Sequence, residues 1–438
     1  MSLTVAKFGG SSLASAEQFK KVYNIVKSDE NRRYVVPSAP GKRFPDDIKV
    51  TDMLYNCYAI ASEGEDFTEE FDAIKKRFTD IVDELELDLD LTREFEKIKA
   101  AFENSAGSDY AASRGEYLSG MILANYLGYD FVDASKCVRF NDDGSFNMDF
   151  TIERTAFHLS HHERAVIPGF YGKRPNDTVK TFSRGGSDIT GSLVARGANA
   201  DLYENWTDVN GFLIADPRIV NNPQPIKTIT YRELRELSYM GATVLHEDAV
   251  FPVHQVGIPI NIRNTNDPEN PGTMIVADAS DEKDTPRITG IAGKKGFCII
   301  SIEKAMMNGE LGFGRKVLGV LEDNAISFEH FPSGIDTMSV VVDKKYVDGR
   351  ENELIKAINE EVHADTIHIE NDLALIAVVG RGMRKSTGTA AKVISAVASQ
   401  NINIRMLDQG SSELNIIIGV DESAFGSAVK AIYEAFHE

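Results

Sequence analysis

Two glycine-rich segments of the sequence contain residues that suit the binding of an anion. Residues 7–10 are Lys-Phe-Gly-Gly, in which the glycines let the backbone approach phosphates and the lysine can neutralise a transferring phosphoryl group. Residues 183–188 are Ser-Arg-Gly-Gly-Ser-Asp at the start of a predicted helix, whose N–H groups and dipole favour an anion. Simpler alternatives stay open: a glycine turn beside a surface lysine, and a turn in which Asp188 is an N-terminal cap. The order G-x-x-x-x-G-K-[ST] is absent, so the first segment is not a Walker A loop.

A third polar segment follows a strand-like run at residues 201–205. It begins with Trp206, Thr207 and Asp208, and Asp216-Pro217-Arg218 comes soon after it. Thr207 and Asp208 could face a nucleotide, and Arg218 could reach its phosphates. The alternative is a polar turn that Trp206 anchors in the core.

Two other groups of residues do not form a recognisable site. The histidines at positions 158, 161 and 162 lack a second ligand group at a metalloenzyme spacing, and a solvated helix face explains them better. The three cysteines, at positions 57, 137 and 298, are far apart, so neither a disulfide framework nor a zinc pattern is predicted. We therefore predict no metal-ligating side chains, and a reducing, cytoplasmic location.

The composition is that of a globular protein with about two to four domains. Of 438 residues, 42 % are hydrophobic and 26 % are charged, and the net charge is −20. This acidic balance argues against a nucleic-acid binder, because phosphate backbones need basic surface. No apolar run approaches the roughly 20 residues that span a bilayer, and no signal-peptide core precedes the first glycines. Neither nucleic acid nor membrane is expected as a partner.

The elements that must position these segments alternate between strands and helices. This alternation favours an α/β domain with a largely parallel sheet. Residues 52–102 are predicted to be a charged helical excursion that covers the sheet, and residues 114–127 another helix. The predicted strands are residues 3–8, 34–36, 129–132, 165–168, 178–182, 201–205 and 258–262.

The last third of the chain repeats itself at an offset of 76 residues. Lys316–Leu321 resembles Lys392–Val397, and Ser339–Val341 pairs with Asn415–Ile417. Each copy has the order helix, turn, strand, strand and helix, which predicts two tandem α+β modules. We place the domain boundaries at residues 1–283, 284–371 and 372–438.

Together these segments resemble the aspartate kinases of the amino-acid kinase superfamily over nearly the whole chain. Residues 7–12 match K-F-G-G-[ST]-S, residues 184–188 match R-G-G-S-D, and residues 206–218 match W-T-D-V…D-P-R. Residues 241–246 match most of G-A-K-V-L-H-P, and the C-terminal modules are similar to paired ACT domains. The resemblance implies an amino-acid kinase sandwich with a largely parallel central sheet, followed by two ferredoxin-like, ACT-type α+β modules.

The resemblance also implies a reaction, in which ATP with Mg²⁺ phosphorylates L-aspartate to 4-phospho-L-aspartate, the first step toward lysine, methionine and threonine. Because the attacking β-carboxylate is ionised at pH 7, catalysis needs positioning and charge neutralisation rather than a strong base. Lys7 would neutralise the phosphoryl charge, and Asp188 would hold Lys7 or the substrate ammonium in place. Arg184 would pair the α-carboxylate, and Glu116 the α-ammonium.

The remaining site residues are implied by the same resemblance. Substrate contacts extend to Ser38, Thr51, Gly185, Gly186 and Ser187. The nucleotide side comprises Lys7, Phe8, Gly9, Gly10, Thr207, Asp208, Leu213, Asp216, Arg218, Thr243 and Val244. Thr243 stands where the family has lysine, and Leu213 where it often has tyrosine. Nucleotide contacts are therefore expected to differ from the family pattern.

Regulation is implied in the first C-terminal module. A loop with Met307, Gly312 and Phe313 resembles the effector loop of lysine-sensitive aspartate kinases, and Glu329 would pair the ε-ammonium of lysine. L-Lysine is the expected inhibitor and L-threonine the second candidate; the alternative for Glu329 is a solvated strand-end acid. ACT-like modules expose sheet edges, so a homodimer, or a dimer of dimers, is expected.

Two other functions stay open on the sequence alone. The first is a related kinase for another acid such as glutamate, against which the R-G-G-S-D and W-T-D-V segments argue. The second is a kinase-like amino-acid sensor without turnover, which Thr243 and Leu213 leave open. Turnover of ATP with aspartate, compared with glutamate, separates these functions.

Overall fold

The computed structural model describes residues 2–183, 185–242, 245, 247–279 and 285–437. The contacts within the chain divide it into two compact units. The first comprises residues 1–212, 225–231 and 243–281, and the second comprises residues 213–224, 232–242 and 282–438. Two segments that precede residue 283 therefore belong to the second unit by their contacts.

The first unit is built on a sheet that is mostly parallel, as predicted. Its strands are β1 (Thr4–Phe8), β2 (Arg32–Pro37), β3 (Asp130–Phe131), β4 (Ala165–Val166), β7 (Leu202–Thr207), β8 (Thr228–Thr230), β9 (Ile260–Asn264) and β10 (Thr273–Val276). Among the described residues their order is β3-β4-β2-β1-β7-β9-β10-β8. β10 runs antiparallel to β9, and the other neighbouring pairs are parallel. β5 (Tyr171–Lys173) and β6 (Val179–Thr181) form a separate antiparallel hairpin.

Helices connect these strands and cover the sheet. They are α1 (Ala16–Lys27), α2 (Val50–Ser62), α3 (Thr68–Glu84), α4 (Thr92–Glu103), α5 (Ser108–Leu127), α6 (Ala134–Cys137), α7 (Met148–Leu159), α8 (Gly186–Gly197) and α10 (Glu247–His254). On α1 the buried residues Phe19, Val22 and Val26 lie three and four positions apart, which gives one apolar face. α5 ends at Gly128, which adopts the left-handed conformation that glycine tolerates. Within the part of the chain that the structure describes, no helix is long and apolar enough to cross a membrane.

The predicted elements of this unit are found with small shifts at their ends, but one prediction needs correction. The alternation predicts residues 178–182 as a strand of the main sheet, and they form β6 of the separate hairpin instead. The predicted helical excursion at 52–102 is α2, α3 and α4. β5, β8 and β10 are not predicted, because strands of three or four residues leave almost no periodic pattern.

A buried ion pair connects strands on both sides of β1. Arg32 on β2 donates to both carboxylate oxygens of Glu204 on β7, at 2.7 and 3.0 Å. Trp206 donates its indole N–H to the same carboxylate at 2.9 Å. β1 lies between the two strands, with Thr4 beside Arg32 and Ala6 beside Glu204. The pair is therefore compatible with only one register of these three strands.

The second unit is built on an antiparallel sheet. Its strands are β11 (Gly290–Glu303), β12 (Phe328–His330), β13 (Thr337–Asp343), β14 (Thr366–Val379), β15 (Met406–Asp408) and β16 (Asn415–Asp421). Among the described residues the order is β12-β13-β11-β14-β16-β15. Its helices are α11 (Phe313–Asp323), α12 (Glu351–Val362), α13 (Thr389–Ser399) and α14 (Phe425–His437), together with most of α9 (Tyr231–Tyr239).

The two predicted α+β modules are confirmed, and they share two strands. α11 and α13 begin and end 76 residues apart, which is the offset of the sequence repeat. The first part of β11 pairs with the last part of β14, and Ile291 there packs in a core with Ile376 and Val393. The last part of β11 carries Ile300 and Ile302 into a second core. Each long strand therefore runs through both modules.

Candidate active site

Three polar side chains meet at the carboxyl ends of β1 and β7. Lys7 and Asn205 are register partners on the two strands. The Lys7 ammonium lies 2.5 Å from Oδ1 of Asp188 and donates to Oδ1 of Asn205 at 3.4 Å. Asn205 in turn donates its amide N–H to the same Asp188 oxygen at 2.9 Å. Because only 8 % of the Lys7 side chain is exposed, this cluster fixes a positive charge at the edge of the sheet.

The glycine loop after β1 lies against the loop after β2. Gly9 donates its N–H to the carbonyl of Trp206 at 2.9 Å, and Gly41 donates to the carbonyl of Gly10 at 2.8 Å. A Cβ on Gly10 would come within 2.9 Å of the Ala39 carbonyl oxygen, so a side chain does not fit there. The predicted Lys-Phe-Gly-Gly segment therefore has the close backbone approach that its glycines indicated.

The residues predicted to line the aspartate pocket come from β2, α2 and α5. Ser38 follows β2, where its N–H donates to the carbonyl of Phe8 at 3.0 Å. Thr51 is the second residue of α2 and is half-buried. α2 packs beside α5, because a Cβ on Gly115 would contact Val50 and would overlap the Cβ of Ala39. Both hydroxyl residues thus lie on elements that border the carboxyl end of β2.

Glu116 on α5 is a buried carboxyl group with one unused hydrogen-bonding oxygen among the described residues. Its side-chain oxygen Oε2 has no hydrogen-bond partner among the described residues. Burial raises the pKa of Glu116 to about 8, although backbone N–H groups of Ala39 and Glu116 and the charges of Arg114 and Lys7 oppose the rise. The protein therefore holds Glu116 ready for a cationic hydrogen-bond donor that the described residues do not supply.

The second glycine segment forms the start of α8. Gly185 has a φ of 57°, in the left-handed region, and α8 begins at Gly186. Ser187 is buried against Gly169, where a Cβ would lie 2.7 Å from its Oγ. Asp188 in the first turn of this helix forms an ion pair with Lys7, so it is more than a plain cap. Arg184 lies outside the described residues.

The predicted nucleotide residues are only partly brought together. Thr207 ends β7, and its hydroxyl donates to Oδ1 of Asp208 at 3.1 Å. Asp216 and Arg218 form an exposed pair with Nη2 of Arg218 at 2.6 Å from Oδ2, and this guanidinium lowers the pKa of Asp216. They belong to the second unit, as does Leu213. Thr243 and Val244 lie outside the described residues.

The predicted effector residues lie together in the first module of the second unit. Met307 and Phe313 are buried in the same core, and Gly312, with a φ of 80°, precedes the first residue of α11. Glu329 lies in β12, where it accepts a hydrogen bond of 2.5 Å from the hydroxyl of Tyr239 at the end of α9. Glu329 therefore has a hydrogen-bond partner at the surface, and its role as an effector contact stays a prediction.

Family models match most of the chain. A model of the amino acid kinase family matches residues 2–264, and an ACT domain model matches residues 376–436. The chain is 40 % identical to aspartokinase 3 of Bacillus subtilis over 455 residues, which covers 99 % of this chain and 98 % of that protein. The chain belongs to the aspartate kinases. It is a phosphotransferase of that family, as the ordered motifs predicted.

Solved structures of aspartate kinases have the same architecture. The crystal structure of Clostridium acetobutylicum aspartate kinase is 53 % identical, with a TM-score of 0.90 and complete coverage of both chains. Escherichia coli aspartokinase III in complex with aspartate and ADP is 25 % identical, with a TM-score of 0.73 and complete coverage. These likenesses agree with a parallel-sheet kinase domain followed by ACT-type modules.

Sequence reasoning missed several residues that build this aspartate kinase site. Asn205 joins Lys7 to Asp188, and its signal was a polar amide beside Glu204 in a strand that is mostly buried. Gly41 and Gly169 permit close approaches to Gly10 and Ser187, which no local pattern reveals. The histidines and cysteines that the sequence analysis did not assign to a site have ordinary surroundings. His162 contacts Asp130 at 2.8 Å, and burial raises the pKa of the Cys57, Cys137 and Cys298 thiols to about 12, 12 and 11.

The raised pKa of Glu116 makes stability depend on pH. Between the unfolded value of 4.5 and the folded value of about 8, the folded chain holds one more proton, so its stability falls as pH rises. Glu116→Gln removes this penalty. We expect the variant to gain about 1.4 kcal/mol over wild type per pH unit across that window, measured by urea unfolding. Equal pH slopes for wild type, Glu116→Gln and the exposed control Glu17→Gln would contradict the assignment.

Proposed function

We propose that the chain transfers the γ-phosphoryl group of ATP to the β-carboxylate of L-aspartate, which forms 4-phospho-L-aspartate and ADP. The cluster of Lys7, Asn205 and Asp188 carries the proposal, because it holds a buried ammonium group where open α/β sheets bind ligands. A β-carboxylate oxygen would attack phosphorus while the bond to the β-phosphate oxygen of ADP breaks. The charge of Lys7 would then oppose the negative charge on the transferring group.

Recognition of aspartate would depend on groups of opposite charge. Glu116 Oε2 is buried and lacks a partner within the described residues, so it is suited to accept from the substrate α-ammonium. A nearby cation favours the ionised carboxylate, so Glu116 would lose its proton as aspartate binds. Arg184 would pair the α-carboxylate, with Ser38 and Thr51 along the pocket wall. E. coli aspartokinase III has been solved in complex with aspartate and ADP, which supports this substrate pair.

ATP would lie along the loop of Gly9 and Gly10, with Thr207 and Asp208 beside it. Mg²⁺ prefers oxygen ligands and binds substrate phosphates together with several waters. It would therefore enter with the nucleotide and neutralise phosphate charge.

The proposal is tested by coupling ADP formation to a spectroscopic signal, with aspartate or glutamate as the acceptor. We expect turnover with aspartate and a kcat about a hundredfold lower in Lys7→Ala, because preorganised charge facing a transition state contributes roughly 3 kcal/mol. Lys7→Met keeps the buried stem and is expected to lose as much. The exposed control Lys20→Ala should retain activity. Unchanged kcat with a raised KM in both Lys7 variants, or a preference for glutamate, would refute the proposal.

We further propose that L-lysine inhibits the enzyme through the first ACT-type module. Gly312 places the N-terminus of α11 beside the loop with Met307, which suits an effector carboxylate. Glu329 offers a carboxylate for the ε-ammonium, and it is already oriented by Tyr239. E. coli aspartokinase III has also been solved in complex with lysine and aspartate, at 25 % identity and a TM-score of 0.71 to this chain.

Inhibition curves with lysine, threonine and both amino acids test this regulation. We expect lysine to inhibit wild type, and Glu329→Ala to need at least about tenfold more lysine, because charge-assisted hydrogen bonds contribute roughly 1.5 to 3 kcal/mol. Tyr239→Phe is the matched control, since it removes the hydrogen bond and keeps the carboxylate. It should retain inhibition at the wild-type concentration or below. An unchanged midpoint in Glu329→Ala excludes the anchor, and inhibition by threonine alone excludes lysine.

A homodimer through the second unit is also proposed, with a dimer of dimers as the larger form. β12 and β15 are the edges of its sheet, and each exposes a large apolar side chain, Phe328 and Leu407. Exposed strand edges pair readily with another chain. Multi-angle light scattering at micromolar concentration should give twice or four times the mass of 48.3 kDa. A monomer both with and without lysine would contradict the proposal.

A further inference from the structure

A cavity of about 300 Å³ opens in the first unit beside the β5–β6 hairpin. Its walls come from the segment after α6, the start of α7 and the β5–β6 hairpin, and they include Arg139, Lys173, Arg174, Asp177, Phe140 and Phe150. None of these residues belongs to the predicted aspartate, nucleotide or effector sets. We propose that this cavity binds a small, multiply charged anion.

The two arginines that line the cavity have no carboxylate partner among the described residues. Lys173 is paired with Asp177. Arg139 donates through Nη1 to the backbone carbonyl groups of Ser135 and Val138, and Arg174 reaches only the Thr178 hydroxyl, at 3.4 Å. Within the described ranges neither guanidinium is paired with a carboxylate. Asp177 offsets one of the three positive charges in the lining, so two positive charges remain there.

A third arginine adds to the positive potential at this place. Arg154 lies one helical turn beyond Phe150 on α7, and its buried Nε has no hydrogen-bond partner among the described residues. Burial and the neighbouring charge of Arg154 lower the pKa of Arg139, and this effect outweighs the opposing charge of Asp177. The chain as a whole carries a net charge of −20, so this concentration of cations is local. A bound anion would relieve the repulsion between the arginines.

The wall chemistry defines the class of ligand. A guanidinium group binds phosphate or carboxylate through two parallel N–H donors. Phe140 and the 45 % exposed ring of Phe150 provide an apolar wall beside the charged one. The volume is at the small end of ligand pockets, so the ligand is a small metabolite and not a polymer. Its negative groups can be phosphates or carboxylates, because both offer the same acceptor geometry.

Calorimetric titration of the full chain tests the proposal, with pyrophosphate and citrate as probes at constant ionic strength. We expect saturable binding of at least one probe. Arg139→Gln and Arg174→Gln should each weaken it about tenfold or more, while the kinase activity of both variants stays at the wild-type level. Lys20→Gln is the matched control, since it removes the same charge from an exposed position on α1 and should bind as wild type does.

The outcomes separate the alternatives. Binding of pyrophosphate but not citrate identifies a phosphorylated ligand, and the reverse identifies a polycarboxylate. Binding that survives in both arginine variants belongs to another site, such as the nucleotide side, and overturns the proposal. It is equally overturned if neither probe binds, or if Lys20→Gln weakens binding as much as the arginine variants do. Arg174 lies in an irregular turn, so its variant stays informative if Arg139→Gln fails to fold.

Discussion

The parallel register of β1 beside β7 is the constraint on which the active site depends. It places Lys7 opposite Asn205, and both side chains reach Asp188 at the start of α8. Because strand side chains alternate between faces, a slip of one residue would send the Lys7 ammonium to the other face of the sheet. The buried pair of Arg32 and Glu204 spans β1 and opposes such a slip, since an unpaired buried charge is costly.

The site buries several ionisable side chains, which costs free energy and does not help to form a hydrophobic core. Lys7 and Asp188 neutralise one another, whereas burial raises the pKa of Glu116 to about 8 and its Oε2 has no hydrogen-bond partner among the described residues. Strongly perturbed groups in such a setting are typical of functional sites. An incoming ammonium group would find a desolvated carboxyl group that gains a partner when it gives up its proton. The glycine contacts around Gly10 and Gly41 serve the same end by excluding side chains from the adjoining loops.

The second unit joins two modules in a way that ties their conformations together. β11 and β14 each contribute to both cores, so neither module can shift along the sheet alone. α9 contacts both modules: Glu236 accepts a hydrogen bond from Asn415 on β16, and Tyr239 donates to Glu329 on β12. Glu233 on the same helix is buried, where it accepts from Thr289 and Arg381. α9, which contacts Glu329, is thus held by hydrogen bonds at Glu233, Glu236 and Tyr239.

Much of this protein follows from local sequence, and the rest needs the folded chain. Hydrophobic periodicity and the positions of the glycines predicted the parallel-sheet domain and the repeated modules. They also identified the Lys-Phe-Gly-Gly and Arg-Gly-Gly-Ser-Asp segments. All of these are local patterns of side chains along a helix, strand or turn. Only the tertiary structure decided that Asn205 joins Lys7 to Asp188, that Oε2 of Glu116 has no hydrogen-bond partner among the described residues, and that residues 213–224 and 232–242 belong with the C-terminal modules. Short strands such as β5 and β8 could not be predicted from the sequence either, because they are defined by the strands with which they pair. Contacts between residues far apart in the chain depend on register and burial, which no single segment of sequence contains.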